Sequence, residues 1–356
     1  MTEEGDTLFG SAAQQVYRDL FLDLYEISEP AVRLGEVIHW SSPMHALGLD
    51  ELSLNQERAF FAAGYFYSVH TPPPGEPAIA AALEAARSAG ALWLVYPVVP
   101  RSTDTACLAS HGFTRLPWFI ESRYHVRRGV ESDLRTQLGG DRLKKIRRNA
   151  RRVRQSYDTE VVTGADIARH PSAIADFARL HALNLIKYEH KKNHFSARAV
   201  EILLSSPLSM HVVLFLKRAR ATGRAVQAAL NLVDDRAHQL LALVQGIDHA
   251  QVPSTHNLYT ANYFDRYSWG AERGICVFNL GRGGEHTKRG LGANAFTVLD
   301  IHMRRVDGAK SAELFTLRSA AEAAMNANWQ GLTDDDGGED DVPGPSAPRC
   351  QEDMAR

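Results

Sequence analysis

The densest set of chemistry-bearing residues lies at Gly281-Arg282-Gly283-Gly284-Glu285-His286-Thr287-Lys288-Arg289, directly after the apolar run 275–280. The run reads as a buried strand. The ligand crevice of α/β proteins lies at the carboxyl ends of the strands, and glycine lets a backbone approach a ligand or adopt positive φ. Anion binding and proton transfer are within reach of these groups. Lys288 can bind a phosphate or carboxylate or support an oxyanion, and His286 or Glu285 can move a proton. Arg282 can clamp an anion bidentately beside Gly283. The competing description is a solvated turn whose charges cap a short helix.

Further candidates flank this turn. His256 and Asn257 open a helix expected over 254–271, where an anion or oxyanion is favoured, although Asn257 serves equally well as an N-cap. Tyr259, Tyr263 and Tyr267 repeat every four residues on that helix. Such a stripe is more often core than site; Tyr259 is kept as a substrate-binding candidate. Tyr188 ends a long helix expected over 167–188 and is kept as a second substrate-binding candidate, an ordinary solvated helix end being the alternative. His181, His190 and His194 are spaced nine and four apart with no cysteine or paired carboxylate nearby, which is not a zinc-binding set. No metal is expected.

A basic helix stands between the two halves. Residues 142–154 carry eight basic side chains in thirteen, while Leu143, Ile146, Ala150 and Val153 form one apolar stripe. The stripe docks on a core and leaves Lys144, Lys145, Arg147, Arg148, Arg151 and Arg152 as a phosphate track for tRNA or a nucleotide-linked ligand. An ordinary exposed amphipathic helix looks the same.

The elements that must position these groups follow from periodicity. After the basic helix come a strand over 158–163, the helix over 167–188, and a helix over 196–204 capped by Ser196. Strands over 211–217, 225–233 and 239–247 are joined by turn signals that predict antiparallel hairpins. The helix over 254–271, the strand over 275–280, a short helical stretch and a strand over 296–302 close the half. The N-terminal half shows a helix over 76–89, a strand over 91–98, a helix over 103–110 and a strand over 118–126. Helix, strand, short helix, strand thus recurs at the end of both halves, a degenerate internal repeat. The first 70 residues carry no clear pattern.

Bulk properties bound the class. A chain of 356 residues with 44% apolar and 23% charged residues is a globular protein of about two domains. The run 91–99 falls short of a membrane span, and the acidic N-terminus has no signal pattern. Three scattered cysteines argue against a disulfide framework and for the cytoplasm. The net charge of -2 conceals a tail, 334–356, with eight acids and two arginines; the tail is therefore -6, and the body +4. Its Gly, Pro and acid content predicts disorder.

The C-terminal half resembles the acyltransferase unit of the GNAT superfamily, and more closely its tandem, Fem-like branch, which includes peptidoglycan-bridge aminoacyltransferases. Three passages carry the resemblance: Leu143-Lys144-Lys145-Ile146-Arg147-Arg148-Asn149-Ala150-Arg151-Arg152; Tyr188-Glu189-His190-Lys191-Lys192-Asn193-His194-Phe195-Ser196; and 263–293, whose strand, glycine turn and Lys288 match the branch. It covers about 110–303, and the N-terminal half more loosely. It implies an α/β (α+β) fold of tandem GNAT-like units, with mixed, mostly antiparallel sheets flanked by helices. The implied division is a degenerate unit over 1–130, the basic connector over 131–157, an acyltransferase unit over 158–330 and the tail over 331–356. It also implies a sheet that splays between 242–246 and 277–281, exposing backbone donors to an acyl carbonyl.

One departure bears on the donor. CoA-dependent members hold the pyrophosphate on a Gly-rich loop ahead of the helix after the fourth strand. Here that junction, 246–257, has no Arg/Gln-x-x-Gly-x-Gly. The stretch 287–292 resembles such a loop but follows the wrong strand. The expectation is an acyltransferase that forms an amide or ester with a small amine- or hydroxyl-bearing acceptor. Its preferred donor is aminoacyl-tRNA, the runner-up acyl-CoA, each as co-substrate with no tightly bound cofactor and no membrane partner. The alternative from another class is a non-catalytic domain that binds a nucleotide-linked ligand or RNA.

Overall fold

The runs 212–219, 225–234 and 239–247 are apolar at both alternating sets of positions, the pattern of strands covered on both faces. In the computed structural model, which describes residues 8–24, 29–34, 53–64, 69–167, 169–187 and 195–333, they are covered in that way. The first half contains α1 (Ser11–Leu24), β1 (Val32–Arg33), β2 (Arg58–Phe61), α2 (Glu76–Ser88), β3 (Trp93–Pro100), α3 (Ala106–Ser110) and β4 (Thr114–His125). Two connecting helices follow, α4 (Val130–Leu138) and α5 (Gly140–Ser156). The second half contains β5 (Tyr157–Thr163), α6 (Gly164–Ile167), α7 (Pro171–Lys187), α8 (Ala197–Leu204), β6 (Val212–Ala219), β7 (Ala225–Asp234) and β8 (Gln239–Ile247). It continues with α9 (Leu258–Ala271), β9 (Val277–Arg282), α10 (Glu285–Arg289), β10 (Ala295–Arg305) and α11 (Ala312–Thr333).

Leu214, Leu216, Leu230, Leu232, Leu241 and Leu243 join one core with Phe177 and Leu180 of α7 and Ala199 and Leu203 of α8. The intervening Val213, Phe215, Ala229, Val233, Leu240 and Ala242 join a second core with Leu134 of α4, Leu143 of α5, and Tyr263 and Tyr267 of α9. Each such large apolar side chain contributes about 1.5–3 kcal/mol by leaving water.

Among the described residues one ten-stranded sheet runs in the order β1-β2-β3-β10-β4-β9-β8-β7-β6-β5. The pairs β2/β3 and β8/β9 are parallel; all other neighbours are antiparallel. This is the mixed, mostly antiparallel, helix-flanked α/β architecture that the GNAT resemblance implies, laid down in tandem. The two halves exchange their last strands. β4 pairs with β9 of the second half, and β10 pairs with β3 of the first. The order about the β10–β4 junction is therefore symmetric, with a parallel pair on each side, and gives structural form to the repeat seen in sequence.

Local chemistry sets the boundaries. Pro97 and Pro117 lack an N–H, and both fall where the register with β10 shifts. The helix expected over 167–188 breaks, and α7 restarts at Pro171, whose ring suits a first helical turn. Ser196 caps α8, its Oγ accepting from Ala199 N at 3.1 Å. Gly139, at φ 76°, separates α4 from α5. The helix expected from 254 starts only at Leu258, because Asn257 Oδ1 accepts from Thr260 N at 2.9 Å and caps it there. The long helix α11 is not among the expected elements.

Candidate functional site

The sheet opens between β8 and β9. These strands pair only at Gln239–Val277, Leu240–Phe278 and Leu241–Asn279. β8 then continues to Ile247 and β9 to Arg282 without pairing each other. The opening is the splay that the resemblance implies, beginning after Asn279. α7 crosses it closely: a Cβ on Gly246 would collide with the backbone of Leu180 and His181. Amides line it. Gln245 Oε1 accepts from Asn262 Nδ2 at 3.0 Å and from Gln227 Nε2 at 3.1 Å.

A bulge shapes the carboxyl end of β9. Opposite β4, the register passes from Glu121–Arg282 to Arg123–Asn279, so Leu280 and Gly281 together face Ser122. Gly281 takes φ 76° and its N–H donates to Asn279 Oδ1 at 2.9 Å. A bulge with a left-handed glycine bends the strand and re-aims its side chains.

The turn after β9 sorts its charges by helical direction. Lys288 points inward and is 4% exposed, with Nζ donating to Arg282 O at 2.8 Å. Burial pushes its pKa down to about 7; the carboxylates of Glu285 and Glu121 act the other way, and Arg282 and Arg266 add to the lowering. His286 is exposed on the outer side of α10. Glu285 is half-buried, and its Oε1 accepts from Gly283 N at 2.9 Å, closing the turn. The Arg282 guanidinium lies 4.3 Å from the Phe119 ring centroid. Gly283 is exposed at φ 72°. The stretch 287–292 ends α10, with Gly290 as its C-cap and Gly292 at φ 110°; no helix follows it directly, as a phosphate loop requires.

One of the carboxylates whose charge reaches Lys288 is that of Glu121 of β4, which is 0% exposed. Its carboxylate accepts from His70 Nε2 at 3.1 Å and from Arg123 Nε at 2.6 Å, and is also hydrogen-bonded by the side chain of Asn279. Burial works against the charge, but the His70 hydrogen bond, the Arg123 and His70 charges and the Asn279 hydrogen bond outweigh it. They hold the carboxyl down at about 2. Neither His70 nor Glu121 is among the sequence-derived candidates. They lie 51 residues apart and meet only through the tertiary fold. Arg266 of α9 is a second buried cation, 2% exposed, 5.0 Å from the Tyr263 ring centroid and with no partner for Nε.

The basic helix borders this opening. Leu143, Ile146, Ala150 and Val153 are buried, and all eight basic residues are exposed. Asn149 grips the start of α9: its Nδ2 donates to Asn257 O at 2.8 Å and its Oδ1 accepts from Asn257 N at 3.0 Å. Arg152 Nη1 donates to Thr255 O at 2.9 Å. At the other end the Arg142 guanidinium lies against Gly290. α5 thus spans from the end of α10 to the start of α9. Arg147 pairs with Glu131 and Arg154 with Asp265. Lys144, Lys145, Arg148 and Arg151 form no ion pair among the described residues. A cavity of about 560 Å³ opens at the N-terminus of α5, lined by Leu138, Gly139, Gly140, Asp141, Arg142 and Lys145.

The remaining candidates are dispersed. His256 Nδ1 lies 3.3 Å from the Tyr157 hydroxyl. Tyr259 is half-buried with its hydroxyl 3.3 Å from that of Tyr263, while Tyr263 and Tyr267 are core residues. Tyr188, His190, His194 and the acidic tail lie outside the described residues. No described group of His, Cys, Asp and Glu could hold a metal ion, and no described helix is long and apolar enough to cross a membrane.

No protein-family model and no curated protein matches this sequence. Among solved structures, the chain is similar to the C-terminal domain of a protein assigned as a lysylphosphatidylglycerol synthetase from Agrobacterium fabrum. The TM-score is 0.51 and the identity 15%, over 77% of this chain and 82% of that one. It is also similar to L-PGS from Bacillus licheniformis, with a TM-score of 0.51 and 12% identity over 74% of this chain and 81% of that one. At these identities the likeness establishes a shared fold.

Proposed function

We propose that this chain transfers an aminoacyl group from tRNA to an amine or hydroxyl of its acceptor, as a Fem-like member of the GNAT acyltransferases. The observation that carries this reading is the position of the α5 cations. Lys144, Lys145, Arg148 and Arg151 lack acidic partners among the described residues, and their helix is fastened to both rims of the opening, at 255–257 and at Gly290. A polyanion bound along α5 presents its end to the place where the sheet exposes backbone donors. Localised, uncompensated basic charge is the electrostatic footprint of nucleic acid.

In this reading the acyl carbonyl enters between β8 and β9, and unpaired backbone N–H groups there stabilise the tetrahedral oxyanion. Lys288, held near neutrality, supports that charge or the leaving oxygen. Much of the rate comes from positioning. The junction 248–257, a short 3-10 turn followed by the Asn257 cap, offers no Gly-rich pyrophosphate loop, which favours tRNA over CoA as donor. The structural relatives are named for a product that joins lysyl to phosphatidylglycerol, so a lipid hydroxyl belongs among the acceptors to be tried beside small amines.

The test is transfer of a labelled amino acid, supplied with its synthetase and tRNA or as acyl-CoA, to small amines and to phosphatidylglycerol vesicles, with and without RNase. RNase-sensitive transfer is expected. Transfer that survives RNase and requires acyl-CoA rejects the tRNA donor; tRNA binding without transfer from either donor rejects the enzyme.

A further inference from the structure

We infer that His70, supplied by the N-terminal half and oriented by the buried Glu121, is the base that accepts the proton of the attacking amine or hydroxyl. The inference rests on the acyl-transfer reading above and names the proton acceptor of that same site.

The hydrogen-bond geometry assigns the tautomer. Both Glu121 oxygens lie within reach of His70 Nε2, at 3.2 and 3.1 Å. An ionised carboxylate only accepts, so Nε2 carries the proton and Nδ1 keeps its lone pair. Arg123 Nη2 also lies 3.0 Å from Nε2; with the proton on Nε2 this is a contact and not a hydrogen bond, the neutral imidazole and the guanidinium both donating to the one carboxylate. Among the described residues His70 also meets Phe9, whose ring centroid is 5.8 Å away, and Gln14, whose Nε2 donates to His70 O at 3.4 Å. Nδ1 has no partner among the described residues, and the side chain retains 17% exposure. A histidine held by a buried carboxylate, with its second nitrogen unoccupied, is the arrangement of a general base.

The pair belongs to the opening. Asn279, the last β9 residue paired with β8, bonds to Glu121 through its side chain, and Lys288 senses the same carboxylate. A contrast comes from the symmetry-related acid. Asp300 of β10 is also 0% exposed and faces the carboxyl end of β3, but Arg101 binds it with two bonds, at 2.7 and 3.1 Å. Arginine does not give up its proton at any working pH. Only the Glu121 side couples its acid to a group able to take a proton.

The step balances as follows. The nucleophile bonds to the acyl carbon and yields its proton to Nδ1. The ester bond to the tRNA ribose breaks, and that proton passes to the leaving ribose oxygen, which restores neutral imidazole.

Two measurements on the full chain test this. In the first, carbethoxylation is mapped by mass spectrometry, with exposed His286 as internal control. His70 should react in the folded protein; an unreactive His70 beside a reactive His286 overturns the proposal without reference to any donor. In the second, transfer is followed against pH with whichever donor proves active. His70→Gln should lose about 100-fold or more and lose the acid limb of its profile, with substrate KM little changed. Glu121→Gln, a positioning change, should retain part of the rate, losing kcat with substrate KM little changed. A His70→Gln protein that folds and transfers at the wild-type rate overturns the proposal. Silence of the wild type itself with both donors removes the acyl-transfer reading instead, and this one with it.

Discussion

Lys288→Met should make the protein more stable while abolishing transfer, and the gain should depend on pH. The lysine is 4% exposed, and burial holds its pKa at about 7 against 10.5 in an unfolded chain. Between those values the unfolded state binds more protons than the folded one, so the cost of burying the amine falls as pH rises. The cost is complete below pH 7, at about 5 kcal/mol, and declines by about 1.4 kcal/mol for each pH unit up to 10.5. Methionine is of similar length and carries no charge. It does leave Arg282 O without the Nζ donor, a loss of about 1–3 kcal/mol. The net expectation is a variant more stable by about 2–4 kcal/mol at pH 6 and near parity at pH 9. Urea unfolding of both proteins at the two pH values measures it. A difference that does not change with pH, or a variant less stable at pH 6, refutes the claim that a buried ammonium is being held against its solvation. A stabilised but inactive variant is the signature of a strained functional group.

Other expectations are more local. Glu121 has the opposite linkage: its carboxyl lies at about 2 against 4.5 unfolded, so its stabilisation is complete above pH 4.5 and fades as pH falls toward 2. Glu121→Gln should therefore lose about 3 kcal/mol at pH 7 and only about 1 at pH 3, as read by denaturant titration. Gly246→Ala forces a methyl into the α7 backbone at Leu180 and His181; a loss of about 1–3 kcal/mol is expected, and an unchanged melting temperature refutes the close approach. Changing Lys144, Lys145, Arg148 and Arg151 together to Ala should reduce the slope of log affinity for tRNA against log salt by about 3 while leaving the fold intact by circular dichroism. An unchanged slope means that α5 is not the phosphate track.

Residues near in sequence made much of the second half legible. The glycines from 281 to 284 end β9 and begin α10, and the apolar alternation of 212–247 marks three strands correctly. Helical spacing also separates Lys288 from His286, since neighbours two apart on a helix face different ways. Pro171 and Asn257 moved two expected helix starts by local chemistry that the apolar period does not register. The helix Ala312–Thr333 escaped the reading although Leu314, Leu317, Ala321, Met325 and Leu332 turn inward at helical spacing. His70 and Glu121 had no such signal. His70 ends the stretch that carries no pattern, Glu121 is a single acid inside an expected strand, and only the pairing of β4 with β9 brings them to the opening.

The strand exchange explains why the site draws on both halves. In the second half β8 and β9 part after Asn279 and the gap stays open. In the first half β2 ends at Phe61 while β3 runs on to Pro100, which creates the counterpart gap. That gap is bridged by the chain itself: Thr71 N donates to Val98 O at 2.9 Å. The segment that closes the first opening is the one that carries His70. Because β4 lies beside β9, closing the first gap and delivering an imidazole to Glu121 are a single structural event. The N-terminal half thus closes its own crevice with the segment that meets the carboxylate beside the other.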